Sequence, residues 1–175
     1  MIKRVKKICK TCKLPKYIFS KGNCASCANI GYAKKSYTKK KKVNTSTLEK
    51  IKDSLYAQCR KLEVCDNKGY LHCYICGESI HIRYSHLMHY VSRQKKPVRF
   101  NDINCHAGCF ICNVVKRGNL VLYREKLVRD YGEEAVLEVE QMAHNKHRYS
   151  AAKLQEDIAE LKIKKATLKR RKLIQ

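Results

Sequence analysis

Four Cys-x-x-Cys pairs constrain this chain more than any other feature of its sequence. They are Cys9/Cys12, Cys24/Cys27, Cys73/Cys76 and Cys109/Cys112. Each pair presents two thiolates from one tight turn, and two such turns complete the tetrahedral four-cysteine site of a structural zinc ion. The total of 11 cysteines is odd, so the set cannot pair completely as disulfides. The pattern therefore predicts two structural Zn²⁺ sites in a reducing compartment.

The two predicted zinc sites differ in the length of chain between their pairs. The gap from Cys12 to Cys24 is short, whereas the gap from Cys76 to Cys109 is about twice that of an ordinary zinc ribbon. The central zinc is therefore expected to clamp both ends of a long excursion. That excursion is rich in polar side chains suited to chemistry, namely His81, His86, His89, Asn101, Asn104 and His106.

The charge of the chain indicates what it binds. The formal net charge is +24, and the first 48 residues hold 14 Lys or Arg but no Asp or Glu. Such a charge favours a polyanionic partner, for which DNA is the simplest candidate. A membrane partner is not expected, because no apolar run approaches the ~18 residues of a span, the N-terminus lacks a signal-peptide core, and the basic segments lack an apolar face.

Periodicity predicts an α+β fold. A helix is expected from a capping box at Ser46 and Glu49 to about Cys65, strands between the central cysteine pairs, and helices from Leu120 with a break at Gly132 and an N-cap at Ser150. The predicted organisation is a zinc finger over 1–30, a basic linker over 31–46, a helix over 47–65, a zinc-clamped core over 66–124 and C-terminal helices with a basic tail over 125–175.

The order of three residues inside the central clamp resembles a known catalytic motif. His89, Asn104 and Asn113, set between Cys73/Cys76 and Cys109/Cys112, resemble the zinc-clamped HNH or ββα-metal nucleases. The Cys-Asn ending at Cys112 and Asn113 is also similar to phage endonuclease VII proteins. The resemblance implies that His89 ends a strand and acts as general base, that Asn104 braces the loop, and that Asn113 binds a catalytic Mg²⁺ or Mn²⁺.

A longer run is similar to one phage family. The sequence RFNDINCHAGCFICNVVKRGNLVLYREKLVRDYGEEAVLEVE, with LMHY before it and HNKHRY after it, resembles the NinG/Rap recombination nucleases. This resemblance implies a metal-dependent endonuclease of the host-cell cytoplasm that cuts branched DNA, including Holliday junctions and D-loops. Many HNH nucleases carry an Asp directly before the catalytic His, where this chain has Met88. Either His86, three residues before His89, or a water molecule or substrate phosphate is expected to take the place of the missing metal ligand.

Basic residues near the motif are expected to grip the DNA backbone; they are Lys95, Lys96, Arg99, Lys116 and Arg117, with Lys39, Lys40, Lys41 and Lys42 in the linker. Symmetric cutting of a four-way junction would need two sites, so a homodimer is expected. Other residues have structural interpretations: burial for Cys59 and Cys105, a structural role for His106, a strand position for His81 and a turn cap for Asn101.

Two alternatives explain the cysteines and the charge without catalysis. One is a zinc-finger protein that binds DNA through two zinc modules and basic arms. The other is a zinc protein that binds RNA or the ribosome, favoured by the lysine content alone. Neither accounts for the nuclease-like spacing of His89, Asn104 and Asn113.

Overall fold

The structure, a computed structural model, describes residues 5–30 and 44–174. The chain divides into two compact units, Met1–Lys42 and Val43–Gln175. The predicted helix, clamped core and C-terminal helices therefore lie in one unit. Most of the predicted basic linker, including Lys39–Lys42, lies outside the described residues.

The N-terminal unit is built from very short strands around its cysteines. Strand β1 (Lys7–Ile8) pairs with β2 (Pro15–Lys16), and β3 (Ile18–Ser20) pairs with β4 (Asn23–Cys24), both antiparallel. Helix α1 (Ala25–Ile30) follows directly. Within residues 5–30 the buried residues are essentially the cysteines themselves, with Ile18 packed against them, so this stretch has almost no other apolar core.

Helix α2 (Thr45–Val64) opens the second unit. The predicted N-cap at Ser46 is wrong, because the Asn44 side chain accepts the Thr47 backbone N–H at 2.8 Å and the helix begins at Thr45. An extended Asn two residues earlier satisfies a free N–H of the first turn, which is the role of an N-cap. The predicted end is confirmed, since Cys65 is the C-cap.

Two antiparallel strand pairs carry the central excursion. Strand β5 (Tyr70–His72) pairs with β6 (Ser79–His81), and β7 (His86–His89) pairs with β8 (Cys105–Gly108). The expected strands between the cysteine pairs are thus confirmed, with His81 in β6 and His89 at the end of β7. A 3-10 turn, Lys96–Val98, lies between β7 and β8. A π-helical turn, Ile111–Val115, follows β8.

The C-terminal part is helical, as predicted. Helices α3 (Leu120–Tyr131) and α4 (Glu133–Met142) are separated by Gly132, whose φ of +86° suits glycine. Helix α5 (Ala151–Ile174) begins after Ser150, whose hydroxyl accepts the Lys153 backbone N–H at 3.1 Å and confirms the predicted cap.

The core of the second unit forms around the central cysteines. Met88, Tyr123, Leu127 and Val136 are fully buried against them, which brings β7, α3 and α4 together. Helix α5 packs on α2 through Leu154 and Ile158 of α5 and Leu48 of α2. Among the helices of the described residues, none combines the length and the apolarity that crossing a membrane requires.

Candidate functional site

Within the described residues, the eight Cys-x-x-Cys cysteines converge into two groups, Cys9, Cys12, Cys24, Cys27 and Cys73, Cys76, Cys109, Cys112. In each group all sulfur atoms lie within 4.8 Å of one another. Zn–S bonds of about 2.3 Å in a tetrahedron require sulfurs about 3.8 Å apart. The Cys12–Cys24 pair lies at 3.9 Å and the Cys76–Cys109 pair at 3.8 Å. Both groups could therefore hold a zinc ion.

Backbone amides prepare both groups for thiolate chemistry. The Cys24 N–H points at Cys9 Sγ, and the Cys112 N–H points at Cys109 Sγ, each at 3.3 Å. Backbone hydrogen bonds, chiefly that from Cys24, lower the pKa of Cys9 to about 6. Burial raises the pKa of Cys73, but amides of Cys76 and Cys109 outweigh it, and the resulting pKa is about 7. In each group backbone amides thus favour the thiolate of one cysteine, which is the form that binds zinc.

His89 ends β7, and a backbone carbonyl group orients its ring through one nitrogen. Its Nε2 lies 3.1 Å from the Arg99 carbonyl oxygen, which can only accept a hydrogen bond. In the neutral ring Nε2 therefore carries the hydrogen and Nδ1 carries the lone pair. Burial lowers the pKa of His89, so the ring is neutral at physiological pH. This side chain has the tautomer and the protonation state of a general base.

Asn104 holds the loop that supplies this carbonyl group. It is fully buried, its Oδ1 accepts the Val91 N–H at 2.7 Å, and its Nδ2 donates to the carbonyls of Val91 and Val98 at 3.0 and 2.9 Å. Both ends of the segment 91–98 are tied to one side chain, and Arg99 comes next. Asn104 therefore acts on His89 indirectly, by fixing the backbone that orients the imidazole.

His86 and Asn113 meet beside His89. The Asn113 Nδ2 lies 3.1 Å from His86 Nδ1, and the π-helical turn is what aims Asn113 toward β7. Met88, by contrast, is buried in the core and cannot face the same cleft. Gly108, opposite His86 in the strand pair, has no room for a Cβ because that atom would overlap the Met88 side chain. His86 is thus the residue of β7 that could join Asn113 at a cation.

A cleft of about 340 Å³ joins these residues to others that the sequence did not single out. His86, His89 and Asn113 line it together with four unpredicted neighbours: Asp53, Tyr56, Arg93 and Phe100. Asp53 had a usable signal, because it lies one helical turn after Glu49 in a chain that has no acidic residue before position 49. The other three had none, since nothing in the sequence shows that α2 crosses the nuclease-like motif.

Arg99, which was predicted to contact the DNA backbone, forms ion pairs with acidic residues of α2. Its guanidinium pairs with both carboxylate oxygens of Asp53 and with Glu49, and only 16% of its side chain is exposed. Lys96 also pairs with Glu49, at 2.8 Å. These ion pairs connect the 91–99 loop to α2. The remaining predicted contacts, Lys95, Lys116 and Arg117, are exposed.

The structural interpretations of other residues are confirmed. Cys59 and Cys105 are buried, and the Asn101 side chain accepts the Ile103 N–H at 2.9 Å in a turn. His106 is buried, with its ring nitrogens 3.1 and 2.9 Å from the hydroxyls of Tyr123 and Tyr131. It therefore belongs to the core.

The part of the chain that contains the cleft also matches a known protein family. A family model described as "Bacteriophage Lambda NinG protein" matches residues 32–172. The chain belongs to the NinG family. The match spans the whole cleft, α2 to α5, and leaves the N-terminal cysteine group outside it.

Curated NinG proteins support the assignment over a shorter stretch. Protein ninG of Escherichia phage lambda is 41% identical over 81 residues, which is 46% of this chain and 39% of that protein. Protein ninG of Salmonella phage P22 is 37% identical over the same shares. The aligned stretch thus spans about two fifths of these relatives. No solved structure matches the chain.

Proposed function

We propose that this NinG-family chain is a metal-dependent DNA endonuclease that cuts branched recombination intermediates such as Holliday junctions and D-loops. The observation that carries the proposal is the state of His89: a neutral imidazole, with Nε2 held by the Arg99 carbonyl, lines a cleft beside His86 and Asn113. A water-activating base needs that tautomer, that protonation state and a neighbouring place for phosphate.

The chain's own residues divide into a base and its support. His89 Nδ1 takes a proton from the water that attacks phosphorus, and the Arg99 carbonyl stabilises the imidazolium that results. Asn104 keeps the carbonyl in place through Val91 and Val98. Loss of a general base typically costs about 10²–10⁴-fold in rate.

The donors of the cleft fit a divalent cation of intermediate softness. A bound cation supplies charge that stabilises the pentavalent phosphorus and the leaving oxygen. The residues that would hold it are His86 through an imidazole nitrogen and Asn113 through its amide oxygen. An imidazole suits Mn²⁺ better than Mg²⁺, which prefers oxygen ligands and keeps its waters. We therefore expect Mn²⁺ to support faster cutting than Mg²⁺.

Exposed cations near the cleft would carry the DNA backbone. Arg93 lines the cleft itself, and Lys95, Lys116 and Arg117 are exposed on neighbouring turns. These charges provide strong, salt-dependent duplex affinity but no preference for a branch. Symmetric cutting of a four-way junction needs two clefts, so the proposal includes a homodimer on the junction.

The test is cleavage of a synthetic four-way junction and of a linear duplex of matched sequence, with Mn²⁺, Mg²⁺ or no added divalent cation. The proposal expects metal-dependent cutting of the junction, fastest with Mn²⁺, and its loss in Asn113→Ala. Asn119→Ala, in the loop before α3, is the matched control and should cut normally. Cutting that survives Asn113→Ala would remove the cleft as the site.

One observation favours a second candidate, a DNA-binding protein that does not cut. The carboxylate that lines the cleft, Asp53, is already paired with Arg99, so the described cleft offers a cation only neutral ligands. Under this alternative the zinc groups and basic residues bind DNA, and His89 has only a packing role. Tight junction binding without cutting in any of the metals would support it.

A further inference from the structure

The N-terminal unit carries apolar rings on its outside. Phe19 is 76% exposed and Tyr17 is 55% exposed, although these are among the side chains that folding usually buries. Ile18, between them, packs against the cysteine group. Tyr17 and Phe19 line one cleft, so the two exposed rings lie on the same outer surface. Val5 adds to this surface, being 75% exposed.

The exposed rings line a shallow cleft with a lysine at its edge. Val5, Lys7, Tyr17, Ile18 and Phe19 enclose about 660 Å³. The Lys6 ammonium also lies 5.8 Å from the centre of the Tyr17 ring. This surface thus combines flat aromatic rings with a lysine ammonium group that lies within a few ångströms of one of them.

The charge around this face has only one sign. All charged residues between positions 5 and 30 are lysines: Lys6, Lys7, Lys10, Lys13, Lys16 and Lys21. A purely apolar protein partner would have to bury these ammonium groups without compensation, which is unfavourable. A partner with flat apolar groups spaced along a negative backbone matches both features. Exposed bases of a single-stranded nucleic acid have that form, because each base offers a π-face and each nucleotide adds one phosphate.

We propose that the surface formed by Val5, Lys7, Tyr17 and Phe19 binds single-stranded DNA by stacking bases on the two rings, with the lysines contacting phosphates. The surface lies outside the segment matched by the NinG family, 32–172, so this is an activity added to the proposed endonuclease. Only the choice of DNA over RNA rests on that proposed function. Single strands occur wherever a branched intermediate is partly unpaired.

The test uses the full-length protein and ultraviolet crosslinking, because the rest of the chain is also basic. A single-stranded oligonucleotide of about 12 nucleotides containing bromodeoxyuridine is irradiated with the protein, without added Mn²⁺ or Mg²⁺, and tryptic peptides are identified by mass spectrometry. The peptide Tyr17–Lys21 should carry the nucleotide. Because no cleavage is required, the result is independent of whether the cleft in the second unit is a nuclease.

Affinity measurements on the same oligonucleotide complete the test. Tyr17→Ala and Phe19→Ala should each weaken binding between about 5-fold and 100-fold, and Phe19→Tyr should restore most of it. Tyr84→Ala is the matched control, since Tyr84 is a 70% exposed ring in the second unit and should have no effect. Two zinc ions per chain in every variant would show that the fold is retained.

Several results would overturn the proposal. One is crosslinking confined to peptides of the second unit. Another is unchanged affinity in both alanine variants, while a third is tighter binding of a matched RNA. Binding to vesicles that contain phosphatidylglycerol, lost in Phe19→Ala while DNA binding is kept, would assign the face to a membrane surface.

Discussion

The two cysteine groups have the same sulfur geometry but differ in what surrounds them. The N-terminal group is packed against Ile18 and little else, and the neighbouring Tyr17 and Phe19 point outward. The central group is packed against fully buried residues of β7, α3 and α4, including Met88 and Tyr123. The first group is thus nearly the whole core of the described residues 5–30. The second closes a core that has its own apolar packing.

This difference shows two uses of one metal-binding motif. In the N-terminal unit a bound zinc ion would take over the stabilising role that an apolar core plays elsewhere, so Tyr17 and Phe19 can stay exposed. In the second unit a zinc ion would fix the chain next to the cleft residues, since Asn113 directly follows Cys112 and His86 lies between Cys76 and Cys109. The predictions that follow test how far the contrast holds.

The largest effect is expected from removing one zinc ligand in each unit. Cys27→Ala should abolish amide protection across residues 5–30, because zinc binding contributes an apparent ~10–16 kcal/mol in small zinc domains and no other core is present there. Cys112→Ala should loosen β7, β8 and the π-helical turn but leave α2 and α5 protected. Hydrogen exchange followed by mass spectrometry measures both. Protection of residues 5–30 that survives Cys27→Ala would contradict the comparison.

Replacing an apolar side chain should destabilise the second unit much more than the N-terminal unit. Leu127 of α3 is fully buried, so Leu127→Ala should lower the free energy of unfolding of the second unit by about 2–5 kcal/mol. Phe19→Ala, in the N-terminal unit, should change stability by less than about 0.5 kcal/mol because the ring is exposed. Urea unfolding monitored by far-ultraviolet circular dichroism reports the first effect. A large loss of stability in Phe19→Ala would show that its ring is part of a core.

Mild acid should destabilise the second unit through His106. Burial lowers the pKa of His106 to about 4, against 6.5 for an exposed histidine. The unfolded chain therefore takes up this proton first, so stability is complete above pH 6.5 and declines as pH falls toward 4, by about 1.4 kcal/mol per pH unit and ~3 kcal/mol in all. Unfolding at pH 7.5, 6.5 and 5.5 measures the slope, which should be shallower in His106→Gln.

Zinc content must be constant over this pH range, and a metal-sensitive dye can check it. No histidine lies before position 72, so the N-terminal unit has no equivalent titration. A pH slope unchanged in His106→Gln would refute the assignment to His106.

The smallest effect is expected at the start of α2. Asn44→Ala should cost about 1 kcal/mol by removing the hydrogen bond to the Thr47 N–H. Ser46→Ala, at the position that the capping-box pattern indicates, should cost less than about 0.5 kcal/mol. Thermal unfolding compares the two variants. A larger loss of stability in Ser46→Ala than in Asn44→Ala would show that Ser46 is the N-cap, as the sequence pattern predicts.

The cysteine pairs and the helical periodicities were enough to predict both metal groups and most element boundaries. Strand assignment around His81 and His89 also followed from local pattern, as did the break at Gly132. These features depend on short-range geometry: a turn that presents two thiols, an alternation of faces, or a residue that tolerates positive φ. The cap of α2 was missed because Asn44 and Ser46 are both residue types that cap helices. Only the hydrogen bond from the Thr47 N–H to Asn44 decides between them.

The candidate cleft was predictable only in part. The spacing of His89, Asn104 and Asn113 predicted these cleft residues through a resemblance to nucleases, but Asp53 and Tyr56, on α2, precede His89 by more than 30 residues. Asp53 and Tyr56 line the cleft only because α2 packs against the strands in the folded protein. The ion pairs of Arg99 were not predictable for the same reason, because Glu49 and Asp53 lie on α2. The sequence shows which side chains are charged, but it does not show which of them form ion pairs with one another.

The measurement that tests the central claim most directly is the single-turnover rate of four-way junction cutting at saturating protein, compared between His89→Ala and His81→Ala with Mn²⁺. Both histidines occupy strands of the same unit, but only His89 lines the cleft. The account predicts a loss of about 10²–10⁴-fold in His89→Ala with junction affinity retained, and an unchanged rate in His81→Ala. Equal rates in the two variants would contradict His89 as the base and the cleft as the nuclease site.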